Sequence, residues 1–261
     1  MTTAPLIAPP LGVINLDKPP GLTSARAVAI VKRLLPKGTK IGHAGTLDPF
    51  ATGVLLLLVG KATKACERMM DAPKQYDATV RFGATTATDD LDSPAEPWTP
   101  AGGGPLVPPT AEQVVAALPA FVGTILQRPP AFSALKVGGQ RAYDLARGGN
   151  AVVFEPRPVK VYGVELLGYA WPDCRLRVDC GRGTYIRSIA RDLGAALDVG
   201  GHLVALRRTA IGPFRAADAV TLEQLKADGV GPWLRGVPAP PQPAAADVTS
   251  PAPAPAPPAS P

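Results

Sequence analysis

Two periods of apolar spacing exchange along this chain. A short apolar stretch, Gly12 to Leu16, reads as a strand. From Ser24 to Leu35 the spacing lengthens, with Val28, Val31 and Leu35 on one helical face, Thr23 or Ser24 as the cap and Pro36-Lys37-Gly38 as the stop. The unbroken run Val54 to Val59, bounded by turn residues, predicts a buried strand. A strand is expected over Asp77 to Phe82, followed by a Pro/Gly-rich connector from Ser93 to Pro109. Thr110-x-x-Gln113 has the form of a capping box for a short helix that ends at Pro119. Val152 to Phe154, Val159 to Tyr169 and Cys174 to Cys180 carry the β-branched, alternating character of strands. A long helix then places Ile186, Ile189, Leu193 and Leu197 along one side. Strands and helices mix without regular βαβ alternation, which predicts an α+β domain built on a large mixed, mainly antiparallel sheet flanked by helices.

Composition narrows the picture in three ways. The 261 residues are 46% hydrophobic, enough for a substantial core in one or two domains. From Pro238 onward, however, 18 of 24 residues are Pro or Ala. We expect a catalytic domain over residues 1–235 and a disordered Pro/Ala-rich tail over 236–261, too biased to bury a core. A net charge of +6 suits an anionic partner. The run Val54 to Val59 is far shorter than the roughly 20 residues a spanning helix needs, and Met1 to Pro10 lacks a basic segment followed by an apolar one. Those features lead us to expect a cytoplasmic protein. Cys66, Cys174 and Cys180 form no metal-type spacing, so free thiols and no structural metal are expected. Gly102-Gly103-Gly104 lacks a following Lys-Ser or Lys-Thr, which argues against a phosphate-binding loop.

The candidate chemistry sits just before the apolar run. In Gly42-His43-Ala44-Gly45-Thr46-Leu47-Asp48-Pro49-Phe50-Ala51-Thr52-Gly53 one carboxylate lies among turn-forming residues. Pro49 pushes Asp48 toward an extended backbone, so the segment reads as a shaped loop feeding a buried strand. The bland reading is an Asx-turn at a strand end.

The whole run from Ile41 through Gly60-Lys61-Ala62-Thr63-Lys64 resembles the catalytic motif of the tRNA pseudouridine synthase B family. Four further stretches match in order: Gly12-Val13-Ile14-Asn15-Leu16-Asp17-Lys18-Pro19-Pro20-Gly21-Leu22-Thr23-Ser24; Lys74-Gln75-Tyr76 with Gly83-Ala84-Thr85-Thr86-Ala87-Thr88-Asp89-Asp90; Pro129-Pro130-Ala131-Phe132-Ser133-Ala134-Leu135-Lys136; and Gly183-Thr184-Tyr185-Ile186-Arg187. Together they span about residues 11 to 215.

The resemblance implies the pseudouridine synthase fold and isomerisation of uridine 55 in the tRNA T-loop, a reaction that needs no cofactor. It implies Asp48 as nucleophile, Arg187 as its buried cationic partner and Tyr76 stacked on the target base. It places Tyr185 and Leu206 as apolar walls, His43 in the space vacated by the flipped base, and Asp90 near the site. Lys18, Lys64, Lys136, Arg141 and Arg147 are basic residues within family motifs, and 127–150 resembles a segment that closes over the RNA loop. An independent argument supports Arg187. Arg182, Arg187 and Arg191 cluster at a predicted helix start, where the helix dipole disfavours positive charge by roughly 0.3 to 1 kcal/mol each, so an anion is expected nearby. Arg182 and Arg191 read as phosphate contacts or surface charges.

Two departures from the family are visible. Ser93 stands where glycine is common, and no PUA-type C-terminal domain is expected after Arg235. The T-arm of tRNA is the implied partner, bound by a monomer with no protein partner. Three competing readings remain at this point: a non-catalytic RNA-binding protein on the same scaffold, a uracil methyltransferase using Cys180 or Cys174, and a glycoside hydrolase using Asp48 with a second carboxylate.

Overall fold

The computed structural model describes residues 10–133, 135–137, 140–141 and 154–239. Most of the expected tail, 240–261, and the expected strand residues Val152 and Val153 lie outside that set. Phe154 is described and belongs to no strand.

The chain opens with β1 (Gly12–Lys18), α1 (Ser24–Lys32), β2 (Ile41–His43) and β3 (Thr52–Val59). Thr23 caps α1 by accepting the Arg26 N–H at 3.1 Å. The helix stops earlier than its apolar spacing predicts, because Arg33, Leu34 and Leu35 donate to carbonyls only three residues back as the chain tightens toward Pro36. A 3₁₀ turn (Gly60–Ala65) and α2 (Cys66–Asp71) lead into β4 (Lys74–Phe82), which starts three residues before the expected strand. The small pair β5 (Ala84–Thr86) and β6 (Ala95–Pro97) follows, then α3 (Ala111–Ala117), whose Thr110–Gln113 capping box is formed as read from the sequence. After β7 (Gly123–Gln127) come the short hairpin β8 (Lys136–Val137) and β9 (Gln140–Arg141), and the long β10 (Arg157–Ala170) and β11 (Asp173–Cys180). The last elements are α4 (Ile186–Ala196), β12 (Gly201–Ile211), β13 (Phe214–Arg215) and α5 (Leu222–Asp228).

Among the described residues, nine strands form one sheet in the order β1-β3-β12-β4-β11-β10-β7, with β2 added to β3 and β13 to β12. Every pairing is antiparallel except β12 with β3. This is the α+β architecture with a large mixed sheet that the periodicity predicts. Along β4 the side chains of Lys74, Tyr76, Ala78, Val80 and Phe82 are buried while their alternates are more open. In β3, by contrast, Leu55, Leu57 and Val59 enter one core cluster and Val54, Leu56 and Leu58 enter another. Cover on both faces is why the sequence there is continuously apolar. Arg235 exchanges backbone hydrogen bonds with Val13, so the chain remains part of the fold to that point.

Two close approaches position the elements that carry chemistry. α4 lies against β12 with its Gly194 so near the next turn that a Cβ there would sit 2.3 Å from the Gly200 carbonyl carbon. That contact seats the first turn of α4, and therefore Arg187, over the sheet. On the side of β3 away from β1 the ladder splits. β12 pairs only with Thr52 and Gly53, β2 pairs with Leu57 to Val59, and the loop of residues 44–51 emerges between them. Gly53 has φ 98° and presses on Arg208, whose carbonyl oxygen would be 2.2 Å from any Cβ. Substituting Gly53→Ala is expected to combine strain with a backbone clash and to cost roughly 3 kcal/mol. A correspondingly lowered urea midpoint checks it.

Candidate active site

The loop at the split edge is held from several sides. Ser24 Oγ accepts the Leu47 N–H at 2.8 Å and donates to the Leu47 carbonyl at 3.1 Å. The Gly21 N–H donates to the Pro49 carbonyl at 2.9 Å, and the Ala51 N–H closes a turn on the Asp48 carbonyl at 3.1 Å. Lys18 is fully buried and directs its ammonium to the carbonyls of Pro19, Leu22 and Pro49 at 2.9, 2.7 and 3.1 Å. All three of its N–H groups are spent on tying β1 to the Asp48 loop, and burial lowers its pKa to about 8.

Asp48 projects from this loop toward the first turn of α4. Arg187 Nε lies 3.0 Å from Asp48 Oδ2, and Nη2 donates to Oδ1 at 3.2 Å. The same guanidinium reaches Asp90 Oδ2 at 3.3 Å and the carbonyls of Thr88 and Phe132, each at 3.0 Å. The Arg187 and Asp90 side chains are 5% and 3% exposed, whereas Asp48 keeps 30%. The nucleophile candidate is thus the open member of a buried three-charge cluster. Burial raises the Asp48 pKa above its ordinary value, Arg187 pulls it back, and Asp90 and Asp92 push it further up. Asp90 is itself fixed by the Asp92 N–H at 2.9 Å. Ser93, the departure from glycine, accepts the Thr88 N–H at 3.0 Å and so closes the loop that presents the Thr88 carbonyl to Arg187.

A cavity of about 240 Å³ opens beside the carboxylate. Asp48, Tyr76, Tyr185, Arg187 and Leu206, all named from the sequence, line it together. Tyr76 is buried, and desolvation raises its phenol pKa while Arg208 opposes the shift. Tyr185 is held through its backbone, donating to Gln127 Oε1 at 2.8 Å and accepting from Gln127 Nε2 at 3.1 Å. Gln127 opens the segment read as closing over RNA. That segment is anchored to α4 again where Arg128 and Phe132 offer carbonyls to Ser188, Arg191 and Arg187.

Other sequence-named residues lie elsewhere. His43 is not among the residues lining the Asp48 cavity. It lines a separate, basic cavity of about 710 Å³ with Lys32, Lys37 and Lys40. Lys64 is exposed on the 3₁₀ turn after β3. Lys136 lies in β8 opposite Arg141 of β9, and Arg147 lies outside the described residues. Arg182 is paired with Glu67 and Asp71, and Arg191 with Asp89 and Asp192, so of these three arginines Arg187 alone pairs with Asp48. The cysteines make poor nucleophiles. Burial pushes the thiols of Cys174 and Cys180 up to about 12 and about 11.

A family profile described as "TruB family pseudouridylate synthase (N terminal domain)" matches residues 32–186, and "tRNA pseudouridylate synthase B C-terminal domain" matches residues 187–231. The chain belongs to the TruB family of pseudouridylate synthases. Proteins named tRNA pseudouridine synthase B from Aromatoleum aromaticum and Rhodopseudomonas palustris are 48% and 46% identical to it, each over 83% of this chain. The matched stretch makes up 68% of the first relative and 57% of the second. Among solved structures, the fold is similar to a chain of a Cbf5-Nop10-Gar1 complex, with a TM-score of 0.62 and 32% identity over 89% of this chain and 64% of that one. It is also similar to a chain of an H/ACA RNP bound to a substrate RNA containing 2'-deoxyuridine, with a TM-score of 0.59 and 32% identity over 84% of this chain and 56% of that one.

Sequence reasoning overlooked two cavity-lining residues of this TruB chain, Lys74 and Arg208. Arg208 donates from Nε to the Val54 carbonyl at 2.7 Å and from its Nη groups to the carbonyls of Thr46 and Gly45 and to the Tyr76 hydroxyl. It replaces with side-chain donors the ladder that β3 loses where its edge splits. A signal for both existed. Residues two apart on a strand share a face, so a wall formed by Tyr76 and Leu206 implicates Lys74 and Arg208 as well.

Replacing Arg187 by Met leaves Asp48 and Asp90 without their counter-ion, at an expected cost of about 3 kcal/mol. The Asp48 carboxyl then loses the cation that opposes its desolvation and its folded-state pKa rises further, so the penalty is full at neutral pH and fades as the group protonates. Urea midpoints of variant and wild type should converge as pH falls from about 7 toward 5. A gap independent of pH contradicts the charge cluster.

Proposed function

We propose that this chain converts uridine 55 of the tRNA T-loop to pseudouridine, acting in the cytoplasm as a monomer on the T-arm. Conversion of uridine to pseudouridine breaks the bond from N1 to ribose and remakes it at C5, with no redox change and no atoms gained or lost. It calls for an ionised nucleophile, a closed space in which the base turns, and a group to assist loss of the C5 proton. The observation that carries the reading is the Asp48–Arg187 pair, at 3.0 Å, on the wall of a small cavity that also presents Tyr76. Covalent catalysis needs the carboxylate unprotonated, and a buried guanidinium supplies that condition where desolvation opposes it.

Tyr76 offers a ring face for the base, and Leu206 and Tyr185 complete an apolar lining. Extruding the base costs a few kcal/mol, returned by contacts to the rest of the RNA. Lys64 and the basic cavity around His43 are suitable donors for those contacts. A glycoside hydrolase needs a second carboxyl free to act as acid, and Asp90 is buried and engaged with Arg187. A purely RNA-binding scaffold has no use for a partly open carboxylate beside a buried arginine.

The direct test maps pseudouridine in tRNA from cells with and without the gene, alongside purified Asp48→Asn. The variant keeps shape and removes the nucleophile, so we expect its turnover to fall below detection while tRNA affinity stays within about threefold of wild type. Wild-type-like turnover by Asp48→Asn would rule out the mechanism, and position 55 unmodified by the wild type would rule out the substrate.

A further inference from the structure

The Asp48 cavity carries more buried positive charge than the Asp48–Arg187 pair explains. Lys74 and Arg208 are 8% and 1% exposed. Lys74 Nζ donates to the carbonyls of Met70 and Ala72 at 2.6 and 2.8 Å, and Arg208 donates to three carbonyls and the Tyr76 hydroxyl. Among the described residues neither forms an ion pair. The two side chains are neighbours. A Cβ on Gly45 would lie 3.7 Å from Arg208 Nη1 and 3.8 Å from Lys74 Cε, so this glycine leaves the space between them open. Other charged or titratable groups acting on Lys74 are Cys180, Asp71 and Arg182, and Asp71 is already held by Arg182 at 3.0 Å. Each cation retains donor capacity, one N–H of the ammonium and one of the guanidinium. Two adjacent buried cations held only by neutral dipoles are costly for folding, which marks the pair as a candidate functional feature.

We propose that Lys74 and Arg208 form the site that receives the negative charge passing to the uracil base when Asp48 attacks. This rests on the isomerase reading above. If Asp48 attacks C1′, the Oδ–C1′ bond forms and the C1′–N1 bond breaks. N1 then keeps the electron pair, which spreads to the C2 and C4 oxygens. If it attacks C6, the Oδ–C6 bond forms and the C5–C6 π pair moves onto the C4 oxygen. On either route the carboxylate loses its charge and the base gains it. On the first route C5 bonds C1′ as the Oδ–C1′ bond breaks; on the second the C1′–N1 bond breaks, C5 bonds C1′, and the Oδ–C6 bond breaks as the C5 proton leaves. Either way the charge returns to Asp48, and the proton lost from C5 is balanced by one gained at N1. Arg187 therefore favours the charge where it starts, while Lys74 and Arg208 favour it where it goes. Fixed cations aimed at developing charge need no reorganisation during the reaction. Burial lowers the Lys74 pKa to about 8, so the ammonium is present at neutral pH and lost just above it.

The test is single-turnover pseudouridine formation in a T-arm RNA hairpin by wild type, Lys74→Met and Lys74→Arg, with affinity and melting temperature measured in parallel. We expect Lys74→Met to slow the rate constant by on the order of 100-fold or more at pH 7 with affinity changed by less than about threefold. Its melting temperature should not fall, because a buried unpaired charge has been removed. Wild type should slow as pH rises through about 8, whereas Lys74→Arg should retain a substantial rate and move that decline to higher pH. A Lys74→Met enzyme at the wild-type rate overturns the proposal, as does a slow one whose Lys74→Arg counterpart is equally slow with the wild-type pH profile. An inactive wild type would instead overturn the isomerase reading beneath it.

Discussion

One guanidinium governs the site. Arg187 sits in the first turn of α4, where the helix dipole opposes it, and it is almost wholly buried. Both costs are offset by the carboxylates of Asp48 and Asp90 and by two backbone carbonyls. Removing a buried ion pair's partner costs more than the pair contributes, so the cluster stands or falls as a unit. Because Asp48 is its only partly open member, the cluster delivers one ionised carboxylate to the cavity and keeps the rest of its charge away from solvent.

The fold supplies that cluster by breaking its own sheet. β3 begins beside β12 and ends beside β2, and where the two part the chain of residues 44–51 swings out with Asp48. A split edge leaves carbonyls exposed inside a protein, which costs about 1 to 3 kcal/mol for each unsatisfied group. Arg208 answers this from β12 by bonding Val54, Thr46 and Gly45, while Lys18 answers it from β1. The same Arg208 touches Tyr76, so the nucleophile's loop and the aromatic wall share one buried tether.

How much of this was legible depended on whether a residue's neighbours were local. The strand character of β4 and β11, the capping box of α3 and the apolar face of α4 follow from short-range spacing, and each formed, with β4 starting three residues early and α4 ending just before Leu197. The early end of α1 did not follow from its apolar face, because the stop lies in backbone tightening before Pro36. Asp48, Tyr76, Tyr185, Arg187 and Leu206 were named through motif resemblance, and the structure brings all five to one cavity. No pattern along β1 reveals that the ammonium of Lys18 folds back onto three carbonyls. Arg208 and Lys74 were missed although each stands two residues along its strand from a wall residue, Leu206 or Tyr76, and so shares its face. His43 was assigned by motif to the flipped base's place, and in the structure it lines a separate basic cavity.

The central claim is that Arg187 keeps Asp48 ionised against desolvation. The most direct measurement is the pH dependence of single-turnover pseudouridine formation by Arg187→Met and wild type. Without the guanidinium the Asp48 carboxyl should titrate later, so the acid limb of the variant's profile should move to higher pH, with residual activity still rising where wild type has levelled off. A slow variant whose acid limb coincides with that of wild type would contradict the account.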